Sequence, residues 1–188
     1  MDAFLAAFIA ALVTQIGDRN AWLTAILADR YRKPLTVAIG AGLAHSAGNL
    51  IAAAGGIIVA PSLTPRAQLA LMALALFFAA LGALWPLRQP KRFDHVRLGA
   101  LVTSFCGVFA LAVGDRTQFL TLAIAASAPL PWLAAAGAAM GAFAVAFVAA
   151  VLGESIWHGQ AVRIWRIGSG SVLLLACAGT GLSAAGLA

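Results

Sequence analysis

The sequence predicts an all-α membrane protein of six transmembrane helices, built as two inverted three-helix repeats. Three observations predict it. The chain is more apolar than a soluble domain of its length can be, its apolar residues gather in six stretches of membrane-spanning length, and a Gly-Asp-Arg tripeptide recurs at matching places in the two halves.

Of the 188 residues, 63% are hydrophobic and only 10% charged, whereas ordinary globular chains run at about 45–50% apolar and 25% charged. Such an excess needs lipid around it. The formal net charge of +6 is carried by short basic clusters between apolar runs. That pattern suits anionic headgroups, so the bilayer is the expected partner and nucleic acid is not. Cys106 and Cys177 fall inside apolar runs without a CxxC spacing, and read as small packing residues. The chain starts Met1-Asp2 without a basic n-region, and no small-residue cleavage site follows. The first apolar run therefore reads as a retained helix rather than a signal peptide.

Crossing the hydrocarbon core takes about 20 apolar residues. The first span, residues 4–27, starts behind Met1-Asp2 and ends ahead of Arg30-Tyr31-Arg32-Lys33. The second, 35–60, is bracketed by Pro34 and Pro61. The third, 67–87, follows Pro65 and Arg66 and gives way to Arg88 and Pro90. The fourth, 98–126, follows Arg97 and stops before Pro129 and Pro131. The fifth, 132–152, opens on Trp132 and ends ahead of Glu154, which reads as interfacial; the sixth, 167–187, follows Arg163 and Arg166. Proline at these borders suits helix ends. The runs are too long and too evenly apolar for barrel strands. One transmembrane domain thus covers 1–188, with repeat one at about 1–90 and repeat two at about 98–188. Tyr31, Trp85, Trp132, Trp157 and Trp165 fall near the predicted membrane edges, as an aromatic belt does.

Loop cations set the orientation. The loops after the first, third and fifth helices hold Arg30, Arg32, Lys33, Arg88, Lys91, Arg92, Arg97, Arg163 and Arg166, against Arg66 alone on the other side. Cytoplasmic loops carry the excess of Lys and Arg, so both termini are expected on the non-cytoplasmic side.

The halves read as copies. Gly17-Asp18-Arg19 recurs as Gly114-Asp115-Arg116, an offset of 97 (115 minus 18). The same offset relates Phe8 to Phe105, Leu23 to Leu120, Thr24 to Thr121, Pro34 to Pro131, Gly40 to Gly137 and Gly82 to Gly179. Each half has three predicted helices, an odd number, so the second copy is upside down relative to the first. Inverted repeats of this kind are a recurring plan of secondary transporters, with the binding site near the midplane where the halves meet.

Asp18, Arg19, Asp115 and Arg116 fall in the body of predicted spans. Four such charges cost roughly 10–14 kcal/mol on insertion scales, so a site is expected to justify them. The plainer alternative is a set of paired ions that only hold helices in register. On a helix, Gln15 shares a face with Asp18 and Gln118 with Asp115, Thr14 sits one turn before Asp18, and Asn20 and Thr117 follow the two arginines. If the two Asp faces meet, they offer carboxylate, amide and hydroxyl oxygens, which hard divalent cations such as Ca²⁺ and Mn²⁺ prefer. Arg19 and Arg116 are then charge-compensating, and Gly17 and Gly114 permit close helix approach or local unwinding. His45 and Asn49 share a face of the second helix beside Ser46. That patch reads either as helix–helix hydrogen bonding or as a proton-carrying or pathway-lining feature. Gly137-Ala-Ala-Met-Gly141 is a GxxxG.

Two three-helix repeats, each with a Gly-Asp-(Lys/Arg) motif in its first helix, resemble the Gdt-type family of cation/proton exchangers over nearly the whole chain, including Asp29-Arg30-Tyr31-Arg32-Lys33-Pro34. The resemblance implies export of Mn²⁺ or Ca²⁺ against protons. The family pattern Glu-x-Gly-Asp-(Lys/Arg)-(Thr/Ser) occurs here as Gln15-Ile16-Gly17-Asp18-Arg19-Asn20 and Ala112-Val113-Gly114-Asp115-Arg116-Thr117, so both motif glutamates are replaced.

The function expected is therefore a secondary transporter moving a divalent cation, coupled to protons, by alternating access. No enzyme activity and no cofactor are expected beyond the transported cation, and the bacterial inner membrane is the expected location. A non-transporting scaffold is the alternative, suggested by the lost glutamates. An intramembrane aspartyl protease fits poorly, because its Asp dyad must share a proton and each Asp here precedes an Arg.

Overall fold

The computed structural model describes residues 1–90, 98–158 and 160–187. Lys91, Arg92 and Arg97, three of the loop cations used for orientation, lie outside the described residues, as does the side chain of Trp157. The fold is all-helical among the described residues. Eight α-helices follow in order: α1 (Asp2–Gln15), α2 (Arg19–Tyr31), α3 (Pro34–Val59), α4 (Pro65–Leu84), α5 (Ala100–Ala112), α6 (Arg116–Ser127), α7 (Trp132–Leu152) and α8 (Gln160–Ala185). Short 3-10 turns occupy Ala60–Ser62 and Glu154–His158.

The spans expected over 4–27 and 98–126 are not continuous helices. Each is two half-helices, α1 with α2 and α5 with α6, and the second pair is bent by 68°. Chain chemistry explains the break. Ile16 and Val113 are extended, Gly17 and Gly114 take φ of +79° and +77°, and Asp18 and Asp115 return to extended geometry. Positive φ places Cβ against the following carbonyl in any residue that has one, so glycine is the residue that turns the chain here. Each aspartate then caps the next half-helix, Asp18 accepting from the backbone N–H of Asn20 (3.2 Å) and Asp115 from that of Arg116 (2.7 Å).

Among the described residues, four helices are long and apolar enough to cross a membrane: α3 with its 3-10 extension, α4, α7 and α8; α5 and α6 taken together make a fifth. The apolar α1 has only 14 residues, fewer than the membrane thickness requires. Leu5, Ile58, Leu175 and many other large apolar side chains are exposed on the outer faces, where lipid replaces water as the solvent. α8 begins at Gln160, seven residues before the expected start, so Arg163 and Arg166 are helical rather than in a loop.

Every helix of the first half has a counterpart at the 97-residue offset within a few residues: α1 and α5, α2 and α6, α3 and α7, α4 and α8. Packing follows the same pairing, since α1 lies on α7 and α5 lies on α3. Small residues make these approaches close. A Cβ at Gly137 would lie 2.1 Å from the carbonyl oxygen of Phe4 on α1, and one at the equivalent Gly40 would lie 2.6 Å from that of Leu101 on α5. The GxxxG of α7 works the same way at Gly141, where a Cβ would meet the carbonyl oxygen of Phe8 at 2.6 Å. One relation is unequal. α4 packs along α6, whereas the equivalent pair, α8 and α2, has no comparable packing.

Candidate functional site

The two helix breaks adjoin and bring their aspartates into one hydrogen-bonded network. Asp18 Oδ1 accepts from Arg116 Nη2 at 2.7 Å, an ion pair between the two halves. Asp115 Oδ2 accepts from Gln15 Nε2 (2.9 Å) and Asn20 Nδ2 (3.1 Å), while its Oδ1 takes the backbone N–H of Arg116. Gln15 Nε2 is also 2.9 Å from Thr117 Oγ1, which is 3.0 Å from Thr14 Oγ1. Asn20 and Arg116 each bond both carboxylates and so bridge them.

Of the residues singled out in the sequence, Asp18, Asp115, Gln15, Asn20, Thr117 and Arg116 are thus gathered in one place, and Thr14 joins them. Gln15 does not serve the aspartate of its own half, as continuous-helix spacing suggested; the helix breaks at Gly17, and Gln15 reaches across to Asp115. Gln118 bonds neither carboxylate. Its Oε1 accepts the backbone N–H of Gly114 (3.1 Å), and its Nε2 lies against Gly48 of α3. Arg19, expected to mirror Arg116, is exposed and lines a cavity instead.

His45 and Asn49 are buried on α3. Asn49 Nδ2 donates to the His45 carbonyl (2.9 Å), its Oδ1 accepts from Thr121 (2.8 Å), and Thr121 also donates to the carbonyl of Thr117 (2.9 Å). This chain of bonds ties the α3 polar patch to the α6 end of the carboxylate network. Ser46 simply back-bonds to Gly42.

A cavity of about 700 Å³ reaches the network and is bordered by Asp18, Arg19, Asp115 and Arg116, with Phe78 and Gly82 of α4 and Phe119 of α6 in its wall. Arg88 and Arg166 line it as well. Nothing in the order of residues marks Arg166 as part of this cavity, since it reads as an ordinary loop cation. In the structure its stem crosses the α1–α2 break, where a Cβ at Gly17 would lie 2.7 Å from Arg166 Cγ, and its guanidinium donates to the Trp85 carbonyl.

Chemically, the centre offers two carboxylates among neutral amide and hydroxyl groups. Among the described residues no set of three or more His, Cys, Asp and Glu side chains gathers to hold a metal. Among the described residues Asn20 Oδ1 is buried and finds no hydrogen-bond partner, and the same is true of Arg116 Nη1. An unmet carbonyl oxygen beside two carboxylates is a ready ligand for a hard cation.

Comparison with known proteins bears on this arrangement. The sequence profile of a family described as "Divalent cation/proton antiporter GDT1" matches residues 3–91 and 100–186, nearly the entire chain. The chain belongs to the GDT1 family. Members of the GDT1 family are transporters and not enzymes, which removes the protease reading, and the apolar helices agree with an integral membrane protein. A Vibrio cholerae protein named "Putative manganese exporter" is 31% identical over 109 residues, covering 58% of this chain and 54% of that one. A GDT1-like protein of Synechocystis is 29% identical over 179 residues, covering 83% of this chain and 85% of that one. The match thus spans about half the length of the Vibrio relative. No solved structure gives a significant match.

Proposed function

We propose that the protein carries a divalent cation, Mn²⁺ or Ca²⁺, across the membrane in exchange for protons by alternating access. The observation that carries this reading is the meeting of Asp18 and Asp115, one from each half, at paired helix breaks beside a cavity. Discontinuous helices meeting at a repeat interface are where secondary transporters hold their ions. In this reading Asp18 and Asp115 hold the cation with oxygens of Gln15, Asn20 and Thr117, while Gln118 supports the break at Gly114. Arg116 neutralises Asp18 when the cation is away, and His45 with Asn49 forms the route of the exchanged proton. Manganese is the favoured ion because of the Vibrio relative's name.

The same reading takes the bundle as six spans in two inverted three-helix repeats, each broken pair counting as one span. Both termini then face away from the cytoplasm of a bacterial inner membrane. Replacement of both motif glutamates leaves the pocket two carboxylates, one of them held by Arg116. Divalent affinity is therefore expected to be lower than for a site with four, since attraction in a low-dielectric pocket scales with charge.

The test is uptake of Mn²⁺, Ca²⁺ and protons by proteoliposomes under imposed gradients. Asp115→Asn and Asp18→Asn should each abolish cation flux. Flux unchanged in both variants defeats the site assignment, and no flux in the unaltered protein under any gradient leaves the scaffold alternative.

A further inference from the structure

The two motif arginines occupy equivalent sequence positions but unlike places. Arg116 is buried and paired with Asp18 of the other half, and Arg19 is exposed in the cavity. Helix packing shares this inequality, because α4 packs along α6, while α8 reaches the α1–α2 break only through its first turns, at Val162 and Arg166. Two glycines complete the pattern. Gly82 of α4 lies against Arg116, where a Cβ would come within 3.3 Å of its Cδ. Its counterpart Gly179 on α8, 97 residues later, is exposed, and a Cβ there would meet nothing within 4 Å. Arg116 is therefore seated on a glycine of the other half, while the counterpart arginine, Arg19, and the counterpart glycine, Gly179, are apart.

We propose that Arg19 and Arg116 exchange roles during transport: here Arg116 sits on Gly82 and neutralises Asp18, and in the opposite access state Arg19 sits on Gly179 and neutralises Asp115. This rests on the transport reading above and deepens it by naming the residues that position each state. Arg166 now occupies the α1–α2 break, so moving α8 along its own axis until the Gly179 turn replaces the Arg166 turn brings the second pair together, as α4 leaving α6 separates the first. A buried aspartate is then compensated in either state, which matters because an unpaired charge in a membrane interior is expensive. The halves are not chemically equal. Gln15, which holds Asp115 now, has Ala112 as its counterpart, and no amide from that position reaches Asp18 in the exchanged state. The state described here is therefore the resting one in the absence of cation.

Gly179→Val tests this directly, since Gly179 is exposed and a Cβ there meets nothing within 4 Å in the present structure. The protein is made cysteine-free by Cys106→Ala and Cys177→Ala, and Phe119→Cys is introduced in the cavity wall as a labelling site. In sealed vesicles, Gly179→Val and Arg19→Gln should raise maleimide labelling at that cysteine and stop Mn²⁺ flux. Arg116→Gln should lower the labelling, with a shift of about tenfold in the ratio of states between the two arginine variants. Normal flux in a well-folded Gly179→Val protein overturns the proposal, as does labelling that moves the same way in both arginine variants. Labelling needs no flux, so a protein that carries no cation at all defeats the transport reading while the arginine exchange is still decided.

Discussion

Arg116 Nη2 stands 2.7 Å from Asp18 Oδ1, joining residues 98 positions apart through a buried ion pair between the two halves of the chain. The pair decides what the centre of the bundle is before any cation arrives: a neutral couple on Asp18, and a second carboxylate, Asp115, held by Gln15, Asn20 and the Arg116 backbone N–H.

Breaking the pair from one side should destabilise the fold more than removing both partners. Asp18→Asn leaves the buried Arg116 without its counter-ion, a loss of about 3–5 kcal/mol for such a lesion. The double variant Asp18→Asn with Arg116→Gln should recover part of that loss. Unfolding of the purified proteins in detergent, read as a double-mutant cycle, measures the coupling.

Restoring one motif glutamate should make stability depend on the ion. Gln15 Nε2 donates to Asp115 Oδ2 at 2.9 Å, so Gln15→Glu replaces a bond with a repulsion between neighbouring carboxylates. Without divalent cation this variant should melt below the unaltered protein; with Mn²⁺ present the order should narrow or reverse. Melting curves with and without Mn²⁺ check it, and an unchanged gap would separate Gln15 from the cation.

The two break glycines should not be equally sensitive. Both hold positive φ, so alanine at either costs about 1–2 kcal/mol from the backbone alone. At Gly17 the new Cβ also lies 2.7 Å from Arg166 Cγ, whereas at Gly114 nothing lies within 4 Å. Gly17→Ala should therefore be the more damaging in both stability and flux, and adding Arg166→Ala should relieve only the part due to the contact.

Proton coupling should part from cation movement at His45. The residue is buried on α3, and its patch joins the site through Asn49, Thr121 and Thr117. Asn49 bonds the His45 backbone carbonyl, so His45→Phe leaves that bond in place. Cation flux measured together with internal pH should show proton exchange falling further than cation movement. Equal loss of both would mark the patch as helix packing.

The sequence alone settled the membrane class, the places of the two motifs and the identity of most network residues. Apolar content, run length and recurrence of Gly-Asp-Arg are properties of the chain read in order, and lipid imposes so few solutions on a backbone that class follows from hydropathy. The glycine of each motif even allowed for unwinding. What the sequence did not carry is partner choice. On an unbroken helix Gln15 faces Asp18, but positive φ at Gly17 turns the chain, and Gln15 serves Asp115 instead. Nothing in the order of residues distinguishes Arg19 from Arg116, or marks Arg166 as crossing the break at Gly17. Those outcomes depend on which helices pack along each other, α4 along α6 with no comparable packing of α8 along α2. They belong to tertiary packing because two near-identical motifs can satisfy their charges in more than one way, and only the arrangement of the whole bundle selects between them.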